Sequence, residues 1–334
     1  MTTFADVLPV EQVQSHQYRV NLEEQWCIGT GKSAQPAYVH PGADSLASRH
    51  MQLTHAKRKQ PHVINLHLEF LRRTAQGEAI FNVKDVKLGS RITNLHLTLA
   101  QMDDSNKLVD EVEGYITMSD MASETGLSLE TGYKLYPEPL AVDLLALAQG
   151  KDANYIIRGP DAFASFRRAA NQIRMHLIRP QQRPPHFPKA LIDQWITFRP
   201  QGKEGRLTND AIGFVVDIFP QIVEQYVNQD VEEACLGDGL TPEEAKAYIK
   251  KNGSRTYWYP TLSLNLDVKK LLPQEGVEWL FVRIQAKSIK DGRFDLLIHV
   301  LDEGGDLVAL STHSSLAVDA SRNTTRTKKK ENKL

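Results

Sequence analysis

Apolar residues recur at every second position in two well-separated stretches of the chain. In VINLHLEFLRRTAQGEAIFNVKDVKLGSRITNLHLTLAQMDDSNKLVDEVEGYITMSD, from Val63, the alternation is set by Leu66, Leu68 and Phe70. In TLSLNLDVKKLLPQEGVEWLFVRIQAKSIKDGRFDLLIHVLDEGGDLVALSTHSSLAVD, from Thr261, it is set by Leu264, Leu266 and Val268. A period of two predicts strands with one apolar face, four in each stretch. The stretches also align: LHLEFLR over LNLDVKK, and LGSRITNL over KDGRFDLL at a turn. A short polar turn in each, MDDSNK or LDEGGD, joins two strands as a hairpin.

A strand and a helix precede each stretch. In the first half these are QYRVNLEEQWCIG and a helix near GADSLASRHMQLTHAKRK; in the second they are DQWITFRP and the helix that carries Asp217. The repeat is β-α-β-β-β-β, an α+β arrangement in which each antiparallel sheet buries one face on a long helix. Two such halves, residues 15–120 and 193–319, can cover their sheet edges by pairing side by side.

The connector, 121–192, is expected to hold helices at EPLAVDLLALAQG and AFASFRRAANQIRMHLIRP. Pro180, Pro184, Pro185 and Pro188 then impose an extended run. An insertion at 228–253 carries a capping-box start at Thr241 and Glu244, with Gly253 past its end. The basic tail, 320–334, is polar enough to be expected disordered.

With 334 residues, 41% hydrophobic and 24% charged, the composition is that of a soluble globular protein with room for two domains. A net charge of −1 gives no whole-protein field favouring nucleic acid or a membrane surface. No run approaches the roughly 18 to 20 apolar residues of a membrane span. The N-terminus lacks the basic-then-apolar order of a signal peptide. Two cysteines, Cys27 and Cys235, suit a reducing compartment and suggest neither a disulfide framework nor a paired-cysteine metal site.

Candidate chemistry starts at Asp217, set between Val215–Val216 and Ile218–Phe219. Asp210, Gly213, Asp217, Gln221 and Glu224 fall on one helical stripe, which reads either as a solvated face or as an acid held in an apolar cleft. Pro220 ends or kinks the helix there. His313 alternates with Ala309, Ser311, Ser315 and Ala317, opposite the apolar set. Asn265 shares a strand face with Ser263 and Asp267. Arg167, Arg168, Arg174 and Arg179 in the connector read as a solvated basic helix face or as a grip for the phosphates of coenzyme A. GTGKS at 29–33 fails as a phosphate loop because Trp26 stands where a glycine is needed. His50, His55, His62, His67 and His96 cluster, but their spacing fits no metal motif and chance accounts for it. No G-x-S-x-G pattern marks a nucleophilic serine.

The repeated order of strand, long helix and four strands resembles the acyl-CoA thioesterases of the double hotdog type. It is especially similar to the thioesterase-like proteins of filamentous fungi. The resemblance implies a double hotdog fold and an acyl-CoA, or related thioester, as substrate, with no cofactor. In the bacterial members an Asp on the hotdog helix, a Thr two residues before an acidic residue on the next strand and a Gln on the last strand activate a water. IGFVVDIF places Asp217 on that Asp. LNLD places Asn265 on the Thr, with Asp267 two residues on. LVALSTH places His313 on the Gln. The acid is kept and both partners differ. Asn265 can still hydrogen-bond, and His313 can orient water or act as a base.

Three readings follow: hydrolysis of an acyl-CoA, or of a related thioester in a fungal metabolite pathway; a repurposed acyltransferase, dehydratase or cyclase with His313 as base; or a non-catalytic acyl-binding protein. Assembly as a homo-oligomer is a further expectation. The final Asn332-Lys333-Leu334 lies close to a Ser-Lys-Leu peroxisomal address, so the expected location is the peroxisome, through its import receptor, or the cytoplasm.

Overall fold

Alternating side chains along fourteen strands build one antiparallel sheet that runs through both halves of the chain. A computed structural model describes residues 2–7, 9–28, 35–36, 39–159, 167–237, 241, 243–244, 247, 251 and 257–319. The first strands are β1 (Glu11–Gln14), β2 (Gln17–Leu22), β3 (His62–Phe70), β4 (Gly77–Leu88), β5 (Thr93–Met102) and β6 (Leu108–Ser119). Then come β7 (Tyr155–Ile157), β8 (Ile173–Ile178) and β9 (Leu191–Phe198). The last are β10 (Thr261–Val268), β11 (Leu280–Gln285), β12 (Ile289–Lys290), β13 (Arg293–Leu301) and β14 (Leu307–Leu316). Their order is β1-β2-β4-β5-β6-β3-β10-β14-β13-β11-β9-β8-β7, with β12 paired to β13.

The order β2-β4-β5-β6-β3 is mirrored by β9-β11-β13-β14-β10, so two copies of one hotdog sheet meet edge to edge. At the seam Leu66 pairs with Leu266, Leu68 with Leu264 and His67 with Asn265. Each half thereby satisfies the ladder that the other would leave open. The apolar face follows the period of two: Leu66 and Leu68 are buried on β3, and Leu264, Leu266 and Val268 on β10, while a slip in the ladder brings buried Val63 onto the same face. One hydrophobic cluster spans both halves. Helix α1 (Val39–Thr54) buries Ala43, Leu46, Ala47 and Met51, a three-and-four spacing that presents one stripe to the core. It packs on β3 and on α3 (Ile212–Val215) of the other half. Phe4, Trp26, Phe198 and Phe214 interlock at ring separations of 5.5 to 6.1 Å, tying the N-terminal segment to the second half.

Three expectations need correction. The long helix of the second half is broken: a 3₁₀ turn at Asn209–Ala211, the four residues of α3, then separate turns at Glu224–Val227 and Gln229–Ala234. Pro220 cannot donate to a continuing helix and clashes with its preceding turn. In the connector, EPLAVDLLALAQG yields only α2 (Leu144–Ala148), capped by the Asp143 side chain. The described part of the second expected helix is a 3₁₀ turn at Arg168–Gln172 followed by strand β8. Ile173, Met175 and Leu177 alternate with exposed Arg174, and the sheet takes that period-two signal over the helical one. With β7, β8 extends the sheet beyond β9. Thr241 and Glu244 exchange the reciprocal hydrogen bonds of a capping box. Cys27 and Cys235 are buried, and neither is in a disulfide. No helix among the described residues is long and apolar enough to cross a membrane. Residues 29–33, Gly253, the basic tail and Asn332-Lys333-Leu334 lie outside the described residues.

Candidate active site

Asp217 is not on a wet face. On the stripe that could have faced solvent, Gly213 and Glu224 are buried. Val215, Val216, Ile218 and Phe219 around the acid are buried as well. The residue sits in the turn that closes α3, its N–H donating to the Phe214 carbonyl at 3.2 Å. Its side chain is 18% exposed, enough for solvent to reach one edge. Burial pushes its carboxyl up to about 7, and a hydrogen bond from the Thr261 hydroxyl opposes the rise.

His313 comes to the same place from β14. Its side chain is fully enclosed, and Nδ1 lies 3.8 Å from Oδ1 of Asp217. Nε2 is 3.1 Å from the Ser311 hydroxyl. That hydroxyl donates its single hydrogen to the Asn265 carbonyl at 2.6 Å, so it must accept from His313. Nε2 therefore carries the proton, and in the neutral ring Nδ1 presents its lone pair toward Asp217. The Phe219 ring walls the imidazole at 6.3 Å between centroids.

Thr261 was not a candidate from the sequence, and the reason is local. By strict alternation it would share the outer face with Ser263 and Asn265. The ladder between β10 and β14 slips between Thr261 and Ser263, so Thr261 pairs with inward-facing Ser315. A bulge of this kind re-aims a side chain. It turns Thr261 toward Asp217 and leaves Leu262 exposed. An apolar residue, Leu262, in phase with Leu264 and Leu266 yet only two residues from Pro260 was the one available hint.

Asn265 does not join them. It pairs with Thr312, the neighbour of His313, and so lies on the opposite face. There it is exposed; His67 Nδ1 meets its Oδ1 at 2.8 Å, and its Nδ2 donates to Thr312 at 3.2 Å. The arginines do not form a helical grip either, because their segment is not helical. Arg168 is engaged with Glu24, through the carboxylate and the backbone carbonyl, both at 3.0 Å. Arg179 donates to the Asp152 carbonyl at 3.1 Å. Arg174 points outward from β8, and Arg167 starts the 3₁₀ turn.

Asp217, Thr261 and His313 thus form an acid–base set: a carboxyl held near neutrality, a hydroxyl fixing it, and a basic nitrogen across a short gap. Among the described residues, side chains able to hold a metal ion gather elsewhere, around Asp85.

Residues 44–119 match the family model for the acyl-CoA thioesterase N-terminal domain, and residues 148–317 match that for the acyl-CoA thioesterase C-terminal domain. The chain is 33% identical to the thioesterase-like protein TwmA of Talaromyces wortmannii, over 96% of this chain and 93% of that protein. Among solved structures, a putative thioesterase II from Thermobifida fusca superposes with a TM-score of 0.63 at 16% identity, covering 92% of this chain and 95% of that one. The acyl-CoA thioesterase II TesB2 of Mycobacterium marinum gives 0.53 at 15% identity, over 94% and 96%. At these identities the two structures speak to the fold.

Proposed function

The chain belongs to the acyl-CoA thioesterase family, and we propose that it hydrolyses an acyl-CoA or related thioester by water attack assisted by Asp217, Thr261 and His313. The observation that carries this reading is the 3.8 Å approach of His313 Nδ1 to an Asp217 carboxyl pushed up to about 7. The separation is too long for a direct hydrogen bond and suits a shared partner. A water bonded to both atoms at about 2.8 Å would subtend about 85° between them, within reach of its two hydrogens. Donating to both, it would keep its lone pairs for the substrate carbonyl.

In the reaction, water oxygen bonds to the thioester carbon as its proton passes to Asp217. The tetrahedral intermediate collapses with cleavage of the C–S bond, and Asp217 returns the proton to the departing thiolate. Acid and thiol are the products. Thr261 holds the carboxylate through its hydroxyl, and Ser311 fixes the His313 tautomer. A carboxyl poised near neutrality is matched to taking and giving that proton at physiological pH.

Thiol release from a panel of acyl-CoAs tests the reading. Release by the wild type, lost in Asp217→Asn, is the expected result. A wild type that turns over the panel no faster than Asp217→Asn refutes hydrolysis. It would leave acyl transfer, dehydration or cyclisation with His313 Nδ1 as base.

A further inference from the structure

Three imidazoles from separate segments converge on one carboxylate in the first half, apart from the set around Asp217. His16 lies in the turn between β1 and β2, His50 in the last turns of α1, His55 just past its end, and Asp85 on β4. Each imidazole directs Nε2 at Asp85: His16 at 3.0 Å and His55 at 2.8 Å from Oδ2, His50 at 3.1 Å from Oδ1. One donor atom from each of the four lies within 4.8 Å of all the others. The positions 16, 50, 55 and 85 make no sequence motif, which is why only a fold can assemble them.

We infer that His16, His50, His55 and Asp85 bind one divalent transition-metal ion of the zinc type. Three imidazole nitrogens and one carboxylate oxygen are a tetrahedral donor set for such an ion. Bonds of about 2.0 Å place ligand atoms about 3.3 Å apart, so the set needs only side-chain adjustment. The outer shell is in place as well. His50 Nδ1 is 2.9 Å from the Tyr18 hydroxyl, and His16 Nδ1 is 2.9 Å from that of Ser15. Once Nε2 binds metal, Nδ1 must donate, and Tyr18 can receive that proton because its own has a second acceptor, the Ser15 carbonyl at 3.4 Å. The β4 ladder slips between Asp85 and Lys87, the kind of bulge that turns a side chain to a site. His50 is fully enclosed while the His16 side chain is 42% exposed, which gives an ion a way in. Bound there, the ion would pin the N-terminal hairpin, the end of α1 and β4 together.

The test uses the untagged full-length chain, stripped with chelator and titrated with zinc(II) by calorimetry and with cobalt(II) by visible absorption. One ion per chain, the intense bands of tetrahedral cobalt and a higher melting temperature with zinc are expected. His16→Ala and His55→Gln, both at the accessible side, should each weaken binding by about 100-fold and abolish the thermal gain, while His96→Ala leaves both unchanged. Absence of stoichiometric binding, or binding in which His16→Ala and His55→Gln match the wild type, overturns the inference.

Discussion

The two halves share a ladder, residue for residue, and differ at the positions proposed to carry the chemistry. Where β10 meets β14, Thr261 pairs with Ser315, Leu264 with His313 and Leu266 with Ser311. Where β3 meets β6, the matching pairs are Val63 with Met118, Leu66 with Ile116 and Leu68 with Gly114. Both ladders slip at the same place, Val63 to Asn65 and Thr261 to Ser263. The bulge therefore belongs to the fold, and the residue it turns inward decides what a half does. One copy aims a valine at a dry core; the other aims a threonine at an acid. Buried polar groups cost stability unless partnered. In the second half Asp217 sits at a broken helix, whereas the first half keeps α1 unbroken.

The largest effect expected is that of Asp217→Asn, which should lower thiol release by about 10³-fold. In the wild type the rate should climb with pH through about 7, as the carboxyl ionises. Stability should move the other way. Because the folded pKa is raised above the unfolded value, the native state binds more protons between about pH 4 and pH 7, so this group's contribution falls as pH rises through that window. Asp217→Asn should accordingly be more stable than the wild type at pH 8, by about 2 kcal/mol allowing for partial exposure, and lose that margin near pH 4. Equal stability at pH 8, measured by denaturant melts, would mean that the acid is not held in a desolvated place.

Thr261→Val makes the second half resemble the first at one point. Valine already fits the equivalent bulge at Val63, so folding should survive. Loss of the hydroxyl removes the hydrogen bond that opposes the raised carboxyl, so the pH profile should shift upward by about one unit and the rate at pH 7 fall about 5-fold. An unmoved profile would separate Thr261 from Asp217. The reverse exchange, Ile116→His, should cost about 2 to 3 kcal/mol and bring no activity. No serine can serve the new ring, because the place of Ser311 is held by Gly114, where a Cβ would lie 2.0 Å from the His67 carbonyl oxygen. A stable Ile116→His chain, judged by melting temperature, would weaken the idea that an apolar neighbour of Leu66 is what the first half needs at this point.

The sheet was legible in the sequence because its signal is local and repeated: Leu66–Leu68–Phe70 and Leu264–Leu266–Val268 state a period of two, and the copies line up. Elements with weaker or competing signals were misread. Arg167 to Pro180 has residues that suit a helix, but its alternation satisfies the open edge of β9. The helix around Asp217 yields to Pro220. Within the site, Asp217 and His313 were legible because each interrupts an otherwise apolar or small-residue pattern. Thr261 was not, since a bulge inverts the phase on which face assignment rests. The His16–His50–His55–Asp85 cluster was passed over for another reason: His50 and His55 stood among histidines put down to chance, and their partners His16 and Asp85 come from segments about 30 residues away on either side.

The smallest effect should come from Asn265→Ala, and it tests the face assignment directly. The side chain bonds His67 and Thr312 on the outer, exposed face, where such contacts contribute about 0.5 kcal/mol. What residue 265 gives the site is its backbone carbonyl, which takes the Ser311 hydrogen and so fixes His313 with Nε2–H donating. Alanine keeps that carbonyl. Thiol release should change by less than about 3-fold and the pH profile stay in place, whereas Ser311→Ala, which frees Nε2 from its partner, should lower the rate. A loss above 10-fold in Asn265→Ala with an intact melting temperature would mean that the outer face reaches the chemistry after all. The division between a working inner face and an inert outer one would then be wrong for this half.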